Sequence, residues 1–425
     1  MNKVYEALHP SILNVMRRLE SQGFETFVVG GFLRDLFLSR ETSDIDLATA
    51  ARPEEVDRVL CDLTVIPTGI QHGTVTVLVG DRSIEVTTFR KDGAYADHRH
   101  PTTVTYSETI EEDLSRRDFT INALAWNEKR GLLDPYGGFA DLKRSVIRAV
   151  GDPIERFKED ALRILRALRL SSELQFKIDS ACSDALIKHA DLLHFVACER
   201  IREEWLRLIQ GSAASQVMSQ YANVLSLMIP GIAELQQKGL YDRSLMRLEN
   251  VVKDPVMRLA AFCYDFGEDA ARLTSMLKQL RFDNATIDRV VRLTGAKKLT
   301  ITTDRRSILM ALHELQPDSF FDTLALRRAE VIAVQRGCSQ GDSKEQKSND
   351  EANNIDLIEQ KARQILSSGD YLTLRDLAIN GQDMLDAGYE GKTIGQKLEE
   401  ALFSVMLEGV PNTKDAILRS LQKED

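Results

Sequence analysis

A change of hydrophobic period near Pro153 limits what this chain can fold into. Upstream, short β-rich runs at 26–29, 44–48, 74–79, 84–89 and 123–126 alternate with helical stretches and with turns such as Asp134-Pro135-Tyr136-Gly137-Gly138. β-Branched and aromatic residues suit a pleated surface, and turn residues separate the runs. Downstream the strand signals nearly vanish. Leu162, Leu165 and Leu168, then Ile201, Trp205 and Leu208, then Leu273, Leu277 and Leu280 recur at helical spacing. The pattern predicts an α+β domain with a small sheet and helices, followed by all-α segments. At 425 residues the chain is too long for one core, so two to four domains are expected. Leu8, Ile12, Val15, Met16 and Leu19 predict a helix over 4–22, and no repeat of fixed period is visible.

The β-rich part carries the chemistry. In Val28-Val29-Gly30-Gly31-Phe32-Leu33-Arg34-Asp35, a strand, a tight Gly-Gly turn and a helix from Phe32 to Leu38 follow one another. Backbone N–H groups at that helix start suit a phosphate, which Arg34 in the first turn can also reach. Asp44 and Asp46 flank Ile45, so on a strand both carboxylates project from one face. Glu85, between Ile84 and Val86, is expected to share that wet face, with an ordinary exposed strand residue as the alternative. Two divalent metals about 4 Å apart need several hard oxygen ligands. A phosphate cradle beside clustered carboxylates points to nucleotidyl transfer.

Two further stretches extend the site. In 111–123, Arg117 suits a triphosphate clamp, Asp118 a ribose hydroxyl, and Asn122 is expected on the same helical face as Asp118. An exposed ion-paired turn is the competing reading. In 159–169, Arg163, Arg166 and Arg169 run beside a leucine stripe, and Asp160 lies one turn from Arg163. A carboxylate acceptor and a guanidinium donor together match cytosine and adenine, which offer an amino group beside a ring-nitrogen acceptor, and mismatch uracil and guanine. A surface salt bridge between Asp160 and Arg163 is the alternative.

Composition sets outer limits. The formal net charge of −10 argues against a nucleic-acid partner only on average, because residues 143–170 carry eight basic side chains against four acidic ones. Five widely spaced cysteines, with no C-x-x-C, indicate neither a zinc site nor a disulfide framework, which suits a reducing cytosol. There is no signal-peptide core and no apolar run of membrane-spanning length, so a soluble cytoplasmic chain is expected. His98 and His100 are expected on a polar loop, and no His-Asp dipeptide marks a metal phosphohydrolase.

Taken in order, Val28 to Asp35, Asp44-Ile45-Asp46, Arg116-Arg117-Asp118-Phe119-Thr120-Ile121-Asn122-Ala123, residues 159–169 and Glu199-Arg200-Ile201-Arg202-Glu203-Glu204 closely resemble the motif series of class II tRNA nucleotidyltransferases, the bacterial CCA-adding enzymes. The motif-bearing likeness covers 26 to about 209, and a looser one extends through 280–284 and the tail, at Asn380-Gly381, Gly388 and Ile394-Gly395. The resemblance implies a nucleotidyltransferase head (1–148), a base-selecting neck (149–212), a helical body (213–336) and a tRNA-binding tail (355–425), with a polar loop or linker at 337–354. It implies Mg²⁺ held by Asp44 and Asp46, with Glu85 completing the catalytic carboxylates. Gly31, Arg34 and Arg117 would hold the triphosphate and Asp118 the ribose, while Asp160 and Arg163, supported by Arg166 and Arg169, would select CTP and ATP. The implied partner is the tRNA acceptor arm, for a monomer or homodimer. Residues 90–101 resemble the flexible loop of enzymes that add all of CCA. CC-adding or A-adding relatives, bacterial poly(A) polymerases and a non-catalytic RNA-binding protein are the alternatives.

Overall fold

Phe27, Val28 and Val29 are apolar on consecutive positions and buried on both faces, as a central strand requires. They form β1 (Thr26–Val29) at the heart of a seven-stranded sheet. The structure, a computed structural model, describes residues 2–42, 44–70, 73–92, 104–336 and 343–422. β1 pairs antiparallel with β2 (Asp46–Thr49) on one side and with Ala125–Asn127 on the other. The remaining strands are β3 (Thr64–Gly69), β4 (Thr74–Val79), β5 (Arg82–Thr88), β6 (Arg90–Asp92), β7 (Val104–Tyr106), β8 (Ala125–Asn127) and β9 (Gly131–Leu133). Sheet order is β3-β4-β5-β2-β1-β8-β9, mixed because β2 and β5 alone run parallel. β6 and β7 pair separately, and residues 93–101 of the expected flexible loop lie outside the described residues.

Several expected elements are divided. The opening helix is two, Asn2–Ala7 and Pro10–Ser21. Pro10 lacks an N–H and biases His9 to an extended conformation, from which the His9 ring caps Ser11 N–H. The helix expected through 159–169 is also two, Pro153–Glu159 and Leu162–Leu174, with Asp160 extended between them. The stretch 177–178 pairs in parallel with Val146–Ile147, so the expected neck is helical but for this short strand.

By its contacts the chain falls into two compact units, residues 1–233 and 234–425. The first therefore extends past the boundary expected at 212. Among its described residues the second is helical. One apolar cluster there runs from Ala296 to Met406 and ties the expected body and tail into one core, while a smaller one joins Leu377, Met384, Leu402 and Ile417. The polar loop expected at 337–354 is corrected over its latter part: 343–354 open the helix Ser343–Ser367. Ile355, Ile358, Ala362 and Ile365, buried at helical spacing, supply the burial that stabilises that helix. No helix among the described residues is long and apolar enough to cross a membrane.

Candidate active site in the first unit

The parallel pairing of β2 and β5 sets Asp46 directly beside Glu85. Ile84 and Val86 are buried on the opposite face, as the period of two requires. Asp44 precedes the strand rather than lying on it, and Ile45 between the aspartates is buried. Burial first, then the charge of Glu85, raises the Asp46 pKa above the ordinary carboxylate value; Arg117 opposes this and Asp44 adds to it. Among the described residues no three Asp, Glu, His or Cys side chains converge closely enough to hold a metal ion by themselves. Asp46, Glu85 and Asp44 are coupled through their charges.

Gly30 adjoins this cluster with φ +73° and ψ −137°, a conformation that only glycine adopts readily. A Cβ there would lie 3.1 Å from Arg117 Nη1 and 3.7 Å from Asp46 Oδ2. The missing side chain thus lets a guanidinium and a carboxylate approach the same turn. Gly31 opens the helix Gly31–Phe37, whose Arg34 donates to Asp35 at 3.0 and 2.7 Å and to Asn122 Oδ1 at 2.8 Å. Arg117 and Arg116 are both held by Asp113, which is 1% exposed and one helical turn upstream. Burial alone would raise the Asp113 pKa, but the charges and hydrogen bonds of Arg117 and Arg116 outweigh it and lower the value.

Asp118 and Asn122 do meet, but not on an α-helix face. Asp118 lies in the loop before a 3₁₀ turn, Thr120–Asn122, and its Oδ1 accepts from Asn122 Nδ2 at 3.0 Å and from Phe119 N–H at 2.7 Å. Oδ2 accepts from Arg166 Nε at 2.8 Å and Nη2 at 2.6 Å. Two carboxylate oxygens offer about four acceptor positions. All are taken in this arrangement: Asp118 fixes Arg166, and a ribose hydroxyl at Asp118 would replace one of these four partners. Burial would raise its pKa, yet Arg166, Asn122 and Arg163 together hold it far below the usual carboxylate range. Reciprocally, Asp118 raises the pKa of Arg166.

Asp160 and Arg163 are not paired with each other. Arg163 opens the helix Leu162–Leu174 and donates to Glu159 at 2.6 Å and to the carbonyls of Arg156 and Arg116 at 3.1 and 2.8 Å. Asp160 pairs with Arg200 at 2.8 Å. Arg169, 4% exposed, donates to Glu204 at 2.6 Å and Glu173 at 2.9 Å. The alternative reading, a surface salt bridge between Asp160 and Arg163, is thereby replaced by a local pair, Arg163 with Glu159, and a long-range one, Asp160 with Arg200.

All eleven residues picked out above, Gly31, Arg34, Asp44, Asp46, Glu85, Arg117, Asp118, Asp160, Arg163, Arg166 and Arg169, line one cavity of about 610 Å³. Its lining combines carboxylates of β2 and β5 with arginines of the helices after residue 153. Sequence reasoning missed Asp113, Arg200 and Glu204 as partners. Asp113 was detectable from its spacing of three and four to Arg116 and Arg117, and Arg200 and Glu204 from their shared helix face.

Comparison with known proteins agrees with this arrangement. Residues 26–148 match the family model of the poly(A) polymerase head domain, 175–235 that of an RNA- and SrmB-binding site of polymerase A, and 256–421 that of tRNA nucleotidyltransferase domain 2. The CCA-adding enzyme of Levilactobacillus brevis is 33% identical over 96% of this chain and 96% of its own. The chain belongs to the class II tRNA nucleotidyltransferase family. This nucleotidyltransferase is also 48% identical to the CCA-adding enzyme of Lactobacillus delbrueckii subsp. bulgaricus over 52% of its length, a match spanning about half (55%) of that relative. The crystal structure of the Bacillus stearothermophilus CCA-adding enzyme in complex with CTP superposes with a TM-score of 0.78 at 27% identity, covering 98% of each chain. An α+β head followed by helical units is thus the fold of this nucleotidyltransferase.

Proposed function

We propose that this nucleotidyltransferase is a CCA-adding enzyme of the cytoplasm, extending the 3′ end of tRNA by C, C and A from CTP and ATP without a nucleic-acid template. The carrying observation is one cavity lined by both sheet carboxylates and helix arginines. That combination suits a reaction with two needs: charge control at the α-phosphate and recognition of a base edge.

Asp44 and Asp46 would hold Mg²⁺. The donor set fits, since both are hard oxygen ligands, and one or two carboxylates with water and substrate phosphates are what Mg²⁺ commonly takes. When bound, the metal neutralises charge on the triphosphate and on the attacking and leaving oxygens. Glu85 adds negative charge beside Asp46. Arg34 and Arg117 bind the triphosphate, pre-aligned by Asn122 and by Asp113. The tRNA 3′-hydroxyl gives up its proton to water as its oxygen bonds to the α-phosphorus, and the bond from that phosphorus to the bridging oxygen breaks, so that this oxygen leaves with pyrophosphate. Asp160 and Arg163 read the base, and Arg166 and Arg169 line the same wall.

Purified protein incubated with Mg²⁺, CTP, ATP and tRNA ending at the discriminator base tests this when the 3′ ends are sequenced. Addition of CCA is expected. Absence of extension would remove the enzyme reading, A-runs on arbitrary RNA would favour a poly(A) polymerase, and stopping after CC or requiring CC would reassign it to a partial adder.

A further inference from the structure

Asp160 occupies the extended break between the helices Pro153–Glu159 and Leu162–Leu174, where no helical geometry orients its side chain. Arg163 does not hold it either. The carboxylate is gripped from another element: Arg200, in the helix Cys198–Gln210, donates from Nη2 to Oδ2 at 2.8 Å and from Nη1 to Oδ1 at 3.3 Å. Leu162 N–H gives Oδ1 a further bond at 3.1 Å. Of roughly four acceptor positions, the described contacts fill three and leave one on Oδ2. Two N–H···O bonds from one planar guanidinium fix the plane of the carboxylate as well as its place. Both Asp160 and Arg200 line the cavity.

The same helix registers the arginines. One turn after Arg200, Glu204 accepts from Arg169 at 2.6 Å and lies 3.8 Å from Arg166. Next along that face, Arg207 pairs with Glu173 at 3.0 Å. That helix therefore orients the acceptor Asp160 and the wall arginines Arg166 and Arg169, while Arg163 is held separately by Glu159 and by the carbonyls of Arg156 and Arg116.

We propose that Arg200 is a specificity-determining positioning residue, whose two-pronged grip aims the remaining acceptor of Asp160 at the exocyclic amino group of cytosine or adenine. Uracil and guanine would set a carbonyl oxygen against that acceptor, an unmatched polar contact that a fixed carboxylate cannot turn away from. A carboxylate free to rotate would discriminate less. This inference rests on the CCA-adding reading.

The test uses the full chain, tRNA lacking CCA and each nucleoside triphosphate separately, comparing wild type with Arg200→Lys and Arg200→Gln. Lysine keeps the charge and loses the fork. For both variants KM for CTP and ATP is expected to rise about tenfold with kcat changing less, and the kcat/KM ratio of UTP to CTP to rise roughly tenfold, the glutamine variant more than the lysine one. Affinity for tRNA and the melting temperature should stay at the wild-type level. An unchanged UTP/CTP ratio, or an equal loss for all four nucleotides, would overturn the proposal; if the glutamine variant does not fold, the lysine variant decides. Wild-type failure to extend with CTP and ATP would overturn the parent function and this inference with it. Normal wild-type extension with unaltered variant preference removes only the role of Arg200.

Discussion

At the scale of single residues, two buried carboxylates of the cavity are shifted in opposite directions: burial favours the protonated form of both, and only at Asp118 do the partners outweigh it. Asp46 carries a raised pKa, from burial and then Glu85, so its ionised form is less comfortable folded than unfolded. Asp46→Asn should therefore stop nucleotide incorporation yet raise the metal-free melting temperature at neutral pH by about 1–3 °C. The gain should shrink as the pH falls and wild-type Asp46 protonates. A calorimetric pH series beside a primer-extension assay checks both halves. Asp118 is the reverse case: its folded pKa is depressed, so its stabilisation is complete above the ordinary carboxylate value and is lost as the pH falls toward the folded one. Asp118→Ala should cost on the order of 2 kcal/mol at pH 7, less than a fully buried pair because Arg166 stays about one-third exposed. Urea titrations should show that deficit diminishing below about pH 4. A deficit independent of pH would mean that Asp118 contributes by packing alone.

At the scale of elements, the site depends on short irregular pieces braced from behind. The 3₁₀ turn Thr120–Asn122 carries Asn122, which links Arg34 to Asp118. Behind it, Thr120 Oγ1 donates to buried Asp141 at 2.7 Å, and Gly138 is so close that a Cβ would lie 2.0 Å from the Thr120 carbonyl oxygen. Asp134 fixes this approach by accepting from the N–H groups of Gly138 and Phe139 at 2.6 and 3.0 Å. Backbone cannot yield as a side-chain tip can. Gly138→Ala should thus destabilise the first unit by roughly 1–3 kcal/mol and weaken CTP binding by displacing Asn122. Melting curves and CTP titrations measure the two effects, and an unaltered CTP affinity would show that the turn tolerates the shift.

At the scale of the whole molecule, each unit owns a core and a buried ionic network. In the second, the fully buried Arg247 is satisfied by Glu330 at 2.6 Å and by Asp265, which keeps that charge from being an unpaired liability. A protein of net charge −10 binds an RNA only through locally concentrated basic groups. Raising KCl from about 50 to about 200 mM should accordingly weaken tRNA binding at least tenfold, as neutralised phosphates regain counterions, with a smaller change in KM for CTP. Filter-binding and steady-state kinetics separate the two. Salt-independent tRNA affinity would point to shape and stacking contacts instead.

The central strand, the Gly-Gly turn, Asp46 beside Glu85 and the helical remainder were legible in the chain, because local period, turn chemistry and residue type act over a few neighbours. The strands Thr64–Gly69 and Gly131–Leu133 escaped it: their stability comes from pairing along the sheet rather than from a pattern of their own. The helical start of 343–354 escaped for the same reason, being stabilised by burial supplied further along the helix. Sequence by itself determined which residue types stand at which spacing, and from these eleven candidates could be singled out that the fold gathers around one cavity. Tertiary structure decided how they are partnered, since a guanidinium takes whichever carboxylate packing brings within reach. It broke the helix at Asp160, gave that carboxylate to Arg200 rather than Arg163, and spent Asp118 on Arg166.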